Sequence, residues 1–554
     1  MRLVVISIIM IFGLSYGSTY QRALNILNSD FVEQFNEDDV REVIEKNKNY
    51  AISSYIALKT ASFLIYRDID KAEKFLEMVD ERALLKEDIP FYIYLKSFLW
   101  KERDLAVYRD LIKILINKCP ESYYSYKVYV ENIHLFSEDE KLEFIEMLLK
   151  KRYKERAMFL LFSLSDEDAV RYIRVRMATT SSERETIFNQ IPESSPYYIK
   201  ALKFMANIDK NYERTLLDRL KESDFQEYQN YVLKFLEKAF YKNEDISPYL
   251  SLIDEKSPYF SKVKWIEFLF YYKSGDYGKS LDILNRYGSF YDTDKLNYWL
   301  WLVNTKLSNY EDAKIYFQKI RDRDVKDIKD ISFYRAIVDY KTGNLYEFKM
   351  EPLKGKNYEI MENLKSLKTL NYKVAYTEAL YLIKLGYCNE VYNIMPEIGV
   401  RCFDKNSVYT FVKPFGKVDY NENLIYSIVR QESFFDPYAI SSSNAVGITQ
   451  FIPKTAHWFA KNMNMENFDM THLFDPKTAI KFNVEYLKYL DKLWKGDIVY
   501  MISSYNSGEN AVKKFLENNN ITDIAEFVEF YPYAETRDYV KKVLRNYIIY
   551  RSLE

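Results

Sequence analysis

The chain is poor in the residues that break and turn a backbone, with 13 glycines and 13 prolines in 554 positions. Hairpins depend on glycine, asparagine and proline at their corners. Their scarcity disfavours sheet architectures, and the plentiful Leu, Lys and Glu favour an all-α chain. Charge of one sign is missing too: the formal net charge is -2 with acids and bases interspersed, so nucleic acid, which needs a basic stripe, is not an expected partner. The densest basic run, Lys150, Lys151, Arg152, Lys154 and Arg156, reads as a solvated helix face. Histidines are few, and His134, His457 and His472 have no ligand-like spacing. The acidic run Asp322, Asp324, Asp327, Asp330 lacks the glycine and terminal glutamate of a calcium loop, so no metal and no cofactor is expected. Three cysteines, Cys119, Cys388 and Cys402, cannot all pair. A Cys388 to Cys402 bridge is conceivable in an oxidising compartment, but spacing alone does not establish it. What is abundant is tyrosine, with 52 residues; because Lys, Asn, Ile and Phe are abundant as well, this reads as compositional bias rather than as a sugar-stacking surface.

Length alone suggests about three or four domains. Residues 1–17 read as an export signal: Arg2 supplies the positive start, Leu3 to Leu14 a short apolar run, and Ser15, Tyr16 and Gly17 a small-residue cleavage site. The run is too short to span a membrane, and no cysteine follows it to take a lipid. The expectation is a soluble periplasmic protein with no integral membrane segment after signal removal; a buried first helix is the competing reading.

Residues 18–404 read as helix after helix, with Tyr, Leu, Phe and Ile at three- and four-residue spacings and short polar breaks. A repeat emerges in KSGDYGKSLDIL at Lys273, KLSNYEDAKIYF at Lys306, KTGNLYEFKM at Lys341 and KLGYCNEVYNIM at Lys384, with starts 33, 35 and 43 residues apart. Helical hairpins at that period predict a tetratricopeptide-like solenoid, in which each pair buries its face against its neighbours. DIDKAEKFLEMV at Asp68 reads as an earlier copy. The periodicity lapses from Arg401 to Asp419, which sets the boundary of a second domain, residues 405–554 including a linker, of which about Val408 to Glu554 is expected to fold alone.

In that second part, Leu424, Ile425, Ile428 and Val429 recur at helical spacing, and Glu432 falls on the same face. A carboxyl on a buried face is desolvated, which raises its pKa toward what a proton donor needs near neutral pH. A Ser-rich turn follows, Ser441 to Gly447, then Gln450, and Pro453 is placed to open the next helix. Asp475-Pro476 reads as an N-cap and first helical residue. Further on, Ile498, Met501, Ile502 and Tyr505 share a helix face that Gly508 terminates; the Tyr505 phenol either bonds a backbone carbonyl in the core or faces the Glu432 cleft. Glu535 precedes a helix with Val540, Val543, Leu544 and Tyr547 inward, where an acid offsets the helix dipole.

RQESFFDP, SSSNAVGITQFIP, SYNSG and YAETRDYV, in that order, resemble the successive motifs of the soluble lytic transglycosylases, bacterial murein-cleaving enzymes with a lysozyme-like fold. The resemblance covers roughly the last quarter of the chain. It implies that Glu432 is the catalytic acid with Ser433 as its motif partner, and that Gln450, Ile452, Tyr505, Asn506 and Glu535 line the sugar-binding cleft. The implied reaction cuts the β-1,4 bond between N-acetylmuramic acid and N-acetylglucosamine without water and leaves a 1,6-anhydro ring. The implied partner is the glycan strand of peptidoglycan, with other cell-wall proteins as possible partners of the solenoid. This chain departs from the motifs at Asn444, where the family has glycine, at Ile448-Thr449 and Ile452, where it has Leu-Met and Met, and at Glu509, where it has proline. Asparagine is the next-best residue for a left-handed backbone, so the loop is expected to survive. Two rival readings stay open, a hydrolytic muramidase and a non-catalytic interaction scaffold.

Overall fold

The computed structural model describes residues 22–23, 25–27, 36–441 and 443–553; the signal reading of residues 1–17 lies outside them. The described residues are predominantly helical and form no strand, only isolated bridges pairing Ile440 with Val446 and Val446 with Phe451. None of their helices is long and apolar enough to cross a membrane. The repeat is visible as hairpins. Phe260–Lys273 is followed by Tyr277–Tyr287, Thr293–Lys306 by Tyr310–Arg321, and Tyr372–Lys384 by Cys388–Ile394. The copy at Asp68 is a hairpin as well, with Asp68 capping the helix Ile69–Glu77 after Ala51–Leu64. The copy at Lys341 differs. Its first helix, Phe333–Thr342, ends on a left-handed Gly343 (φ 78°) and no second helix forms before Tyr358, in a stretch broken by Pro352 and Gly355.

The chain packs as two units, Met1–Ala201 with Pro352–Cys402, and Leu202–Glu351 with Phe403–Glu554. Each unit is built from two separate stretches of sequence. In the first, the helix Ala51–Leu64 has no side-chain cap of its own, so its leading N–H groups need an acceptor from elsewhere. The buried Glu378 supplies it, accepting from the amides of Ala51 (2.8 Å) and Ile52 (3.1 Å). The Tyr381 hydroxyl, one turn on, donates to Asp80 at 3.1 Å. Cys388 and Cys402 form a disulfide in this unit, and Cys119 is a buried free thiol.

In the second unit, Asp523, Glu526 and Glu529 follow one another at three-residue intervals along the helix Ile524–Phe530 and meet tyrosines of the repeat helices. Tyr298 donates to Asp523 at 2.9 Å, Tyr272 to Glu526 at 2.7 Å and Tyr334 to Glu529 at 2.8 Å. Lys541 adds an ion pair to Glu529 at 2.6 Å. Burial alone would raise the Glu529 carboxyl, but Lys541, Lys295 and the Tyr334 hydroxyl outweigh it and bring it from 4.5 down to about 2. A depressed carboxylate contributes stability above its unfolded pKa and loses it as pH falls through the folded value. From pH 5 to pH 2 the parent should therefore lose on the order of 3 kcal/mol more than Glu529→Gln. Urea unfolding at the two pH values measures this, and equal losses would mean that the carboxylate is not held by its cations.

Candidate active site

The helix Glu422–Ser433 forms because its apolar stripe has a core to enter: Leu424, Ile425, Ile428 and Val429 are fully buried. Arg430 fixes its far end, donating to the carbonyls of Thr410 and Lys405 and to the Asn546 side chain while its guanidinium lies 4.0 Å from the Phe411 ring centre. The helix stops on two aromatic residues in left-handed conformation, Phe434 (φ 54°) and Phe435 (φ 68°). Non-glycine residues adopt that conformation at a cost of about 1–2 kcal/mol each. Complete burial of Phe435 offsets part of it. Glu432 is thus presented in the last turn of a rigid helix, where the chain bends sharply away.

A loop from Ala439 to Phe451 runs beside the acid, and its carbonyls are taken one after another by side chains. The Gln450 amide donates to Ala439 (3.1 Å) and Gly447 (2.8 Å), Ser433 donates to Ile448 (3.0 Å), and Tyr505 donates to Thr449 (2.9 Å). Ser433, Gln450 and Tyr505 therefore meet at one loop, and each binds backbone there. Asn444 is left-handed (φ 59°), as expected for its position. Gly447 is left-handed as well (φ 75°), and a Cβ there would stand 2.1 Å from the Leu473 carbonyl oxygen. The other expected features stand in place: Asp475 caps Pro476–Trp494 with Pro476 first, and Gly508 (φ 82°) ends Ile498–Ser507.

The Glu432 carboxyl accepts a 2.6 Å hydrogen bond from the Tyr539 hydroxyl. Burial raises its pKa, the Tyr539 bond opposes that, and the charge of Glu535 adds to the rise, so the carboxyl is pushed up to about 7. Glu535 is exposed in the first turn of the helix Ala534–Ser552, one turn before Tyr539. Tyr505 bonds the Thr449 carbonyl, and burial together with the Glu432 charge raises its phenol well above the ordinary range. Asn506 accepts from Thr536 at 2.7 Å, tying the Tyr505 helix to the last one. Ile452 stands immediately before the helix Pro453–Asn462, makes no side-chain cap bond and is 44% exposed. Sequence reasoning quoted the run that contains Tyr539 but did not single it out; its spacing of four from Glu535, on one helix face, was the available signal. Among the described residues, no group of three or more His, Cys, Asp or Glu is placed to hold a metal.

Residues 413–528 match the family described as Transglycosylase SLT domain. The chain is 34% identical over 127 residues to the soluble lytic murein transglycosylase of Escherichia coli (strain K12), and 36% identical over 121 residues to the membrane-bound lytic murein transglycosylase C of Haemophilus influenzae (strain PittGG). Those stretches are 23% and 20% of this chain, and only 20% and 34% of the relatives' own lengths. The similarity of fold reaches much further. The 70 kDa soluble lytic transglycosylase of Escherichia coli superposes with a TM-score of 0.66 at 18% identity, covering 96% of this chain and 91% of that one. A complex of the 70 kDa soluble lytic transglycosylase with bulgecin A gives 0.64 at 16% identity over the same shares. Over 96% of its length the chain thus superposes on the all-α fold of these enzymes, helical hairpins followed by a lysozyme-like domain, and its residues 413–528 match the transglycosylase SLT domain family.

Proposed function

We propose that the protein is a murein lytic transglycosylase, with residues 405–554 as its catalytic domain and Glu432 as both acid and base. The observation that carries this is the Glu432 carboxyl, held at the end of a buried helix with a pKa of about 7. At that value it is protonated often enough to donate to the leaving oxygen of a β-1,4 bond and basic enough afterwards to accept a proton. As a carboxylate it takes the proton of the muramoyl C6 hydroxyl while that oxygen attacks the anomeric carbon. General hydrolases place a second carboxylate across the bond. Here the second nucleophile belongs to the substrate, already tethered to the reacting ring. Ser433, Gln450 and Tyr505 hold the loop beside the acid, and Ile452, Asn506 and Glu535 are assigned to the sugar cleft. The Cys388–Cys402 disulfide supports a periplasmic location, since such bonds persist in oxidising compartments.

Mass analysis of products from purified murein tests the reading. Anhydro-ended fragments are expected; fragments heavier by one water, with a reducing end, would replace it by the muramidase reading, and no fragments by the scaffold reading. Tyr539 provides a second test. Its hydroxyl stabilises the ionised form of Glu432, which the acid must become on donating its proton. Tyr539→Phe should lower kcat by about ten- to a hundredfold, the usual worth of a hydrogen bond to a charged group. It should also move the pKa of the acid upward, because the favoured carboxylate loses its donor. A pH profile of kcat that does not move would separate Tyr539 from the acid.

A further inference from the structure

The helices Pro453–Asn462 and Pro476–Trp494 carry two large aromatic side chains that remain in solvent, Trp458 (51% exposed) and Tyr489 (37%). Both are held by other rings. Trp458 meets Phe459 edge-on at 4.6 Å and Tyr489 edge-on at 5.8 Å between ring centres. The pair is continuous with the acid: the Tyr505 ring, on which the Glu432 charge acts, lies 5.2 Å from Tyr486, and Tyr486 stacks at 6.4 Å on Tyr489. Beside Tyr489 stands Glu509, half-buried at the start of the helix Glu509–Glu517; together with burial, its carboxylate pushes the Tyr489 phenol up. Glu509 is also the residue at which this chain departs from the proline of the motif it resembles. A rigid aromatic face that covers the C–H side of a sugar ring, next to a carboxylate that accepts from its hydroxyls, is the combination that a saccharide requires.

We propose that Trp458, Tyr489 and Glu509 form an outer saccharide subsite that holds a glycan strand away from the bond being cut. The proposal rests on the glycan-cleaving reading above, and it assigns this chain a preference for long strands. Trp458→Ala should raise KM for peptide-free murein strands about tenfold, the effect of losing one central aromatic anchor. The loss on a tetrasaccharide should be at least about fivefold smaller, since one such anchor carries most of the effect only where it is engaged. Trp458→Phe should restore most of the loss. Co-sedimentation with the same strands in a Glu432→Gln background gives the affinity without turnover. Equal losses on long and short substrates, or unweakened strand binding by Trp458→Ala, would overturn the subsite and leave the enzyme reading intact. A Glu432→Gln parent that does not bind strands, with a parent chain that does not cut them, would overturn both.

Discussion

Glu432→Gln is expected to cut murein turnover by at least about a hundred- to ten-thousandfold, the range of general acid–base assistance, in a protein that still folds and binds glycan strands. The amide keeps the volume and can neither donate the proton to the leaving oxygen nor take one from the C6 hydroxyl. A stability measurement accompanies it. Because the folded carboxyl is raised to about 7 from 4.5, Glu432 favours the folded state below pH 4.5 and loses that contribution as pH rises through 7. The variant does not titrate. Relative to the parent it should gain on the order of 2–3 kcal/mol between pH 4 and pH 8. Turnover within about tenfold of the parent, set against the acid–base range, would remove Glu432 as the acid and make Glu535 the next candidate. A stability difference independent of pH would mean that the carboxyl is solvated in the folded protein.

Gly447→Ala should be the most damaging small substitution in the catalytic part, costing more than about 4 kcal/mol and with it the activity. Two effects act together. The backbone is left-handed there, and the new methyl would lie 2.1 Å from the Leu473 carbonyl oxygen, which is backbone and cannot swing aside. Moving the loop would in turn break the Gln450, Ser433 and Tyr505 bonds to its carbonyls. Gly416 is the control: it is left-handed too (φ 85°), but nothing lies within 4 Å of an added Cβ. Gly416→Ala should cost only the left-handed penalty of about 1–2 kcal/mol. Denaturant unfolding of the two variants compares them, and equal costs would remove the steric argument.

Much of the site was legible because local chemistry wrote it. Asn444 takes the left-handed turn, Pro476 follows its Asp475 cap, Gly508 ends its helix, and Glu432 lies on the apolar face that the spacing predicted. Legibility failed where partners are remote or compete. That the Gln450 amide donates to two carbonyls of its own loop could not be read from its motif. Tyr539 was not a candidate from sequence, because the carboxyl its hydroxyl reaches, Glu432, lies 107 positions away. The tyrosines opposite Asp523, Glu526 and Glu529 are 225, 254 and 195 residues distant, and no periodicity announces such pairs. The repeat failed at one copy, since a third hairpin beginning at Lys341 carried the phase in sequence yet its second half contains the breakers that end it.

The discontinuity of both units sets a timetable for the nascent chain. Synthesis proceeds from the N-terminus, so the amides of Ala51 and Ile52 wait for a carboxylate made 327 and 326 residues later. Tyr272 likewise waits 254 residues for Glu526. Closing such long loops is slow compared with forming the local hairpins, so the hairpins assemble first and hold unfilled docking positions until Glu378, and then Glu526, arrive. The second unit is complete only once Phe403–Glu554 has joined Leu202–Glu351, so a nascent chain that stops short of that stretch has hairpins but no closed core.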